Sequence, residues 1–161
     1  MAAPGLAHAA TAEVTTCFTP AERCEPLVVS AINAATQEIL VQSYTFTSRG
    51  IAAALEAARK RGVRVEVIFD KSEDPNWPTA PLARELVQAG IPVAVDARVA
   101  IAHNKVMVID AARVLTGSYN WMVAAEYKNA ENLVVLDSPE IARRYRENWA
   151  RRYAVSKPVR Q

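Results

Sequence analysis

From residue 25 to residue 95 the chain alternates segments of helical and of strand periodicity, and this alternation restricts its possible folds more than any other feature. Residues 25–36 place apolar Leu27, Val28, Ile32 and Ala35 at helical spacing. Residues 38–46 read as a strand, with Ile39, Val41, Ser43 and Thr45 on one side and Leu40, Gln42, Tyr44 and Phe46 on the other. Ser48 is a fitting N-cap for a helix that runs to Arg61 and stops at Gly62. Residues 63–69 read as a short β-branched strand ending at Asp70. Pro75, Pro78 and Pro81 punctuate a loop, residues 81–89 give a second crossover helix closed by Gly90, and residues 91–95 give another strand. Helices placed between strands in this way predict an α/β domain whose sheet is at least partly parallel.

The second half reads differently. Residues 105–109 and 113–116 are strands joined by Asp110-Ala111-Ala112, a tight hairpin. Residues 132–136 form a further strand. Ser138 caps a final helix to about Tyr153, with Pro139 in its first turn. The expected architecture is a mixed, mostly parallel β-sheet flanked by helices on both faces. There is no internal repeat and no low-complexity linker. The 161 residues are therefore expected to form one domain over 16–155, preceded by a flexible arm at 1–15 and followed by a tail at 156–161.

Composition excludes some classes. With 51% hydrophobic and 22% charged residues, the chain is not of the disordered type. No apolar run approaches the roughly 20 residues that span a bilayer, so a soluble chain without stable membrane association is expected. A net charge of +2 does not diagnose a partner. From Ser138 onward, however, Arg143, Arg144, Arg146, Arg151, Arg152, Lys157 and Arg160 are opposed only by Glu140 and Glu147. Such a stretch fits either a polyanion track or a solvated helix face with cations near its C-terminal end.

Cys17 and Cys24 have six residues between them. Two thiols do not complete a four-ligand zinc site, and His8 does not supply the rest. A local disulfide is the better reading, and it implies an oxidising compartment; the alternative is two unpaired small hydrophobes. Ala7-His8-Ala9 has the small-x-small form of a secretory cleavage site, although the basic start and apolar stretch of a signal do not precede it. An exported, already trimmed chain, periplasmic or secreted, is the expectation.

The stretch from His103 to Trp121 carries the chemistry. Strand alternation sends His103 and Lys105 to the same face, placing an imidazole beside an ammonium at a strand end. Asp110 has the opposite parity and sits where the hairpin turns, which puts it away from any reacting atom. Ser118 and Asn120 share parity just after the returning strand, so the hairpin brings His103, Lys105, Ser118 and Asn120 to one edge. These types suit a phosphodiester. Imidazole can attack phosphorus or protonate a leaving oxygen near neutral pH. Lysine and asparagine can donate to the non-bridging oxygens, and the Ser118 hydroxyl can add another donor.

Together His103, Lys105, Asp110, Gly117, Ser118 and Asn120 resemble the signature of the phospholipase D superfamily: His-x-Lys, four residues, Asp, then Gly-Ser-x-Asn. The resemblance extends to the Gln-Ser-Tyr-Thr-Phe-Thr run from Gln42, to Arg61-Gly62-Val63 and to Glu131-Asn132, and it is nearest to the short bacterial endonucleases of that superfamily. It implies a phospholipase D-like catalytic domain and a two-step reaction through a phosphohistidine. By this resemblance His103 is the nucleophile or acid, and Lys105 and Asn120, with Ser118, hold phosphate. Glu131 looks like the carboxylate that orients the imidazole, against the alternative of a solvated strand-edge charge. The signature counts Asp110 among its catalytic set, whereas parity gives it a structural role.

The reaction needs two imidazoles. The chain has two histidines, and His8 falls in the expected arm. A two-fold homodimer supplies the second copy of His103, as in the superfamily's short members; its longer members carry two motifs in one chain. Asp70, Asp74, Asp96, Asp110 and Asp137 are scattered rather than clustered, so neither metal nor cofactor is expected and activity should survive a chelator. The expected substrate is nucleic acid, cut with low sequence specificity, because no base-reading module is present. The alternative is a hydrolase of phospholipid or another small phosphodiester. Trp77 is either a base-stacking rim element or edge packing. Trp121 reads as packing that fixes Asn120. Arg59, Lys60, Arg61 and Arg64 read either as phosphate contacts or as cations ending a helix.

Overall fold

The computed structural model describes residues 10–74, 76 and 80–159. In chain order it contains β1 (Glu13–Thr19), α1 (Glu25–Ala34), β2 (Glu38–Ser43), α2 (Arg49–Lys60), β3 (Arg64–Asp70) and a single 3-10 turn (Lys71–Glu73). These are followed by α3 (Pro81–Gln88), β4 (Val93–Asp96), β5 (Lys105–Ile109), β6 (Arg113–Gly117), α4 (Val123–Tyr127), β7 (Glu131–Asp137), α5 (Pro139–Val155) and the two-residue β8 (Lys157–Pro158).

The strands form one eight-stranded mixed sheet in the order β1-β7-β6-β5-β2-β3-β4-β8. Parallel pairing is confined to β2-β3-β4, the strands linked by α2 and α3. Every other neighbour is antiparallel. The expected predominance of parallel pairing therefore holds only for the first half. No crossover helix stands between β4 and β5, so β5 enters beside β2 from the opposite direction, and the strands after it follow as a meander.

The alternation of side chains divides the core into two layers. Ile39, Val41, Val65, Val67, Met107 and Leu115 face α1 to α4 and form the larger cluster. Leu40, Ile68, Val106, Val108 and Val114 face α5, where they meet Ala142 and Trp149. The helices thus lie on both faces, as expected, with a single helix on the second.

Strand β1 begins inside the segment set aside as an arm, and it pairs with β7 along its whole length, from Glu13↔Asp137 to Thr19↔Glu131. It is an edge strand with Val14 and Phe18 exposed, so its local pattern carries little burial signal; its order comes from a partner far away in the chain. The Cys17–Cys24 disulfide is formed and fastens β1 to the start of α1. Ser48 caps α2 as expected, accepting a hydrogen bond from the Ile51 amide at 3.0 Å. Ser138 stands at the start of α5, but its hydroxyl makes no capping bond there.

The basic residues of α5 are largely committed within the fold. Arg146 and Arg64 both pair with Glu38 at 2.7 Å, Arg152 pairs with the buried Asp96, and Arg143 pairs with Glu147 one turn away. This favours the helix-face reading of the C-terminal charge over a polyanion track. His8, Trp77 and Arg160 lie outside the described residues.

Candidate active site

Registers decide which residues can meet. Ser43 at the end of β2 lies opposite Lys105 at the start of β5. Gly117 at the end of β6 lies opposite Leu133, two residues into β7 from Glu131. One end of the sheet therefore gathers the start of β5, the end of β6 and the start of β7. His103, Lys105, Gly117, Ser118, Asn120 and Glu131 line a cleft of about 480 Å³ at that end. The structure brings together every candidate from the hairpin region except Asp110.

Lys105 shares the parity of Met107 and is only 6% exposed. Its ammonium donates to the His103 carbonyl at 2.7 Å and stands 5.0 Å from the centre of the Tyr44 ring. The same ring lies 4.5 Å from the His103 imidazole, tilted by 55°. Burial pulls the Lys105 ammonium below the ordinary lysine range, and the Glu131 carboxylate opposes that shift. His103 itself is exposed at the mouth of the cleft. The residue before it is anchored: the Ala102 amide donates to Asp70 at 2.6 Å, and Asp70 also accepts from the Ser72 amide at 2.9 Å. Burial raises the Asp70 pKa, but these amide bonds outweigh it and hold the carboxylate below its usual range.

The Gly-Ser-x-Asn segment is held by β7. The amides of Ser118 and Tyr119 both donate to the Asn132 carbonyl, at 3.0 and 3.2 Å, and Ser118 Oγ accepts from the Asn132 amide at 3.0 Å. Gly117 has φ +150°, and a Cβ there would run into the Asn132 carbonyl, so only glycine permits this approach. Asn120 lines the cleft half-buried, and its Oδ1 is buried with no hydrogen-bond partner among the described residues. Trp121 is fully buried, and its indole donates to the Gln42 carbonyl at 3.3 Å. That agrees with its reading as packing that fixes Asn120.

Glu131 lines the cleft, but its Oε1 accepts from Asn129 Nδ2 at 3.0 Å. Among the described residues it makes no hydrogen bond to His103. Asp110 is at the far end of β5. Its carboxylate accepts from the amides of Thr36, Gln37 and Glu38, at 2.8 to 2.9 Å, and from the Thr36 hydroxyl at 3.0 Å. Asp110 fastens the hairpin turn to the start of β2, at the opposite end of β5 from Lys105, and does not line the cleft. Arg59, Lys60, Arg61 and Arg64 sit at that far end as well. Arg61 donates to the Ile32 and Asn33 carbonyls at the end of α1, and Arg64 pairs with Glu38, so these two are committed within the fold.

Sequence reasoning missed Tyr44 as a neighbour of His103, Asp70 as the anchor of the His103 loop, and Glu126. Tyr44 stood inside the quoted run from Gln42, yet only the β2–β5 register shows that it meets the imidazole. Among the described residues no group of three His, Cys, Asp or Glu side chains is arranged to hold a metal ion. Among the described residues the cleft brings together one exposed imidazole, one ammonium and one side-chain amide, groups that can bind and attack a phosphodiester.

A family model described as cardiolipin synthase, PLD-like domain, matches residues 28–153. The chain is 39% identical over 141 residues to a phospholipase D of Rickettsia typhi, a match covering 88% of this chain and 68% of that protein. It is 35% identical over 118 residues to a mitochondrial cardiolipin hydrolase of Xenopus laevis, covering 72% of this chain and 54% of that protein. The crystal structure of a phospholipase D family member, Nuc from Salmonella typhimurium, superimposes with a TM-score of 0.87 at 34% identity, covering 94% of this chain and all of that one.

Proposed function

The chain belongs to the phospholipase D superfamily, and on that premise we propose that it is a metal-independent phosphodiesterase that cleaves nucleic acid with low sequence specificity, at an active site completed by a second copy of the chain. The observation that carries this reading is the placing of one accessible imidazole, one buried ammonium and one amide donor around a single cleft.

In the first step an imidazole nitrogen of His103 forms a bond to phosphorus, and the bond from phosphorus to the leaving oxygen breaks. The proton for that oxygen comes from the partner's His103, present as imidazolium. Lys105 and Asn120 donate to the non-bridging oxygens, whose negative charge they hold as the geometry changes. In the second step the partner's imidazole takes a proton from water, water oxygen attacks phosphorus, and the nitrogen–phosphorus bond breaks. Both steps need two imidazoles on opposite sides of one phosphorus. With a single histidine in the cleft among the described residues, a two-fold homodimer meets that need. Ser118 supports the site chiefly through its bond to Asn132, and its own proton remains available to a phosphate oxygen. Glu131 adds negative charge beside Lys105, and in the assembled dimer it is a candidate partner for an imidazole.

A second reading, hydrolysis of a phospholipid or another small phosphodiester, is favoured by the names of the Rickettsia and Xenopus relatives. The disulfide supports a periplasmic or secreted location. Among the described residues no helix is long and apolar enough to cross a membrane.

The test is incubation of the purified protein with plasmid DNA, and in parallel with phospholipid vesicles, in the presence of EDTA and beside His103→Ala. Nicking by wild type but not by the variant is expected. Loss of all activity in EDTA overturns the metal-independent chemistry, and hydrolysis of lipid alone replaces the nucleic-acid substrate with the second reading.

A further inference from the structure

Glu126 belongs to α4, just beyond the Gly-Ser-Tyr-Asn segment, and is 2% exposed. Its Oε2 accepts three hydrogen bonds: from the Tyr119 hydroxyl at 2.9 Å, and from the amides of Cys24 and Glu25 at 3.1 and 3.0 Å. The two amides open α1, which has no side-chain cap of its own. Glu126 therefore caps that helix from a distant part of the chain, its charge facing the positive end of the helix dipole. Arg23 reinforces the contact by donating to the Glu126 carbonyl at 3.4 Å, and its guanidinium lies 4.4 Å from the Tyr127 ring centre. Cys24 is bonded to Cys17, and Cys17 lies opposite Leu133 in β7.

Tyr119 is fully buried between Ser118 and Asn120 in the chain. Ser118 and Asn120 line the cleft, while the Tyr119 ring packs edge-on to Trp121 in the core. The Tyr119 hydroxyl is thus pinned in the core one residue away from each of two cleft residues. Burial first, and then the bond to Glu126, push this hydroxyl far above the ordinary tyrosine range, so it remains a donor at any working pH. A buried carboxylate is costly unless it is fully hydrogen-bonded. An apolar side chain would fill the same space at less cost, but it would fix neither the phenol nor the helix.

We propose that Glu126 and Tyr119 are positioning residues for the phosphate-holding segment, joining Ser118 and Asn120 to the disulfide-fastened start of α1. This rests on the phosphodiesterase reading. Neither residue touches substrate; both act through Asn120, whose donor matters most when charge develops in the transition state.

The test compares Tyr119→Phe and Glu126→Gln with wild type on bis(p-nitrophenyl) phosphate, well below each variant's unfolding midpoint and normalised to folded protein. Tyr119→Phe removes one oxygen and keeps the ring. Misplacing a donor by about 1 Å costs up to about 100-fold in rate, so kcat is expected to fall about 10- to 100-fold with KM within about threefold of wild type. The double variant is expected to be no worse than the more severe single variant, because both break one brace. A kcat for folded Tyr119→Phe within twofold of wild type overturns the proposal, as does a loss in the two variants that simply multiplies. If one variant does not fold, the kcat of the other decides by the same criterion. His103→Ala, in the same assay, tests the underlying reading separately: turnover equal to wild type there rejects the phosphodiesterase itself, whatever the brace variants do.

Discussion

The ammonium of Lys105 is bound to the backbone carbonyl of His103 at 2.7 Å, so the two members of the His-x-Lys pair are joined through main chain and their side chains remain separate. The lysine is held in place by this bond. It stands under the Tyr44 ring, which also meets the imidazole.

Lys105→Met keeps the length of the side chain and removes the charge. If the ammonium holds charge that develops on the phosphate oxygens, kcat falls by about 10²- to 10³-fold. The measurement is steady-state kinetics on a small phosphodiester with folding checked by circular dichroism. Activity within a few-fold of wild type would remove Lys105 from the reaction.

Burial lowers the pKa of Lys105, and the nearby Glu131 carboxylate raises it. Replacing Glu131 by Gln takes away the opposing influence, so the ammonium loses its proton at a lower pH than in wild type. The alkaline limb of the kcat profile is therefore expected to move to lower pH in Glu131→Gln. An alkaline limb that stays put or moves upward would show that Glu131 does not act on this lysine.

Asp110 is expected to contribute stability rather than chemistry. Burial raises its pKa, but the bonds from Glu38, Thr36 and Gln37 prevail and leave it below the usual value. A carboxylate depressed in this way stabilises the fold above its unfolded pKa of about 3.9, and that contribution is lost as pH falls through the folded value. Asp110→Asn is expected to cost about 1–3 kcal/mol near neutral pH, with the gap from wild type closing below about pH 4. Denaturant titration at several pH values checks this. Folded Asp110→Asn should keep kcat within a few-fold of wild type, and a larger fall would return Asp110 to the reaction.

Ala111 adopts φ +52° beside Asp110, also at φ +52°, in the β5–β6 turn. Left-handed backbone costs an alanine roughly 1–2 kcal/mol, part of which the greater unfolded-state freedom of glycine offsets. Ala111→Gly is expected to stabilise by about 1 kcal/mol, raising the melting midpoint by about 2–4 °C. A lower midpoint would mean that the turn tolerates alanine without strain.

Much of the site was legible because it depends on short-range alternation. Strand alternation placed His103 with Lys105 and Ser118 with Asn120, and all four line the cleft, although His103, Ser118 and Asn120 lie just outside β5 and β6. Its place at the hairpin turn put Asp110 at the far end. What escaped depends on distant pairings. β1 is ordered by β7, more than a hundred residues away, and Tyr44 meets His103 only because Ser43 is in register with Lys105. Glu126 looks like any helical glutamate in the sequence; its three donors come from Tyr119 and from the beginning of α1. The mostly parallel sheet was inferred from the helix-rich first half, and the meander from β5 to β7 changed that balance.

The β5–β6 turn is separated from the cleft by the five residues of each strand, a span of about 17 Å at the usual strand rise. Losing one residue within either strand would turn Lys105 or Gly117 toward α5. Adding residues between Ala111 and Ala112 would leave both orientations intact. That tip is thus a natural graft point for an epitope or fluorophore, from which a reporter could follow the protein without crowding its substrate.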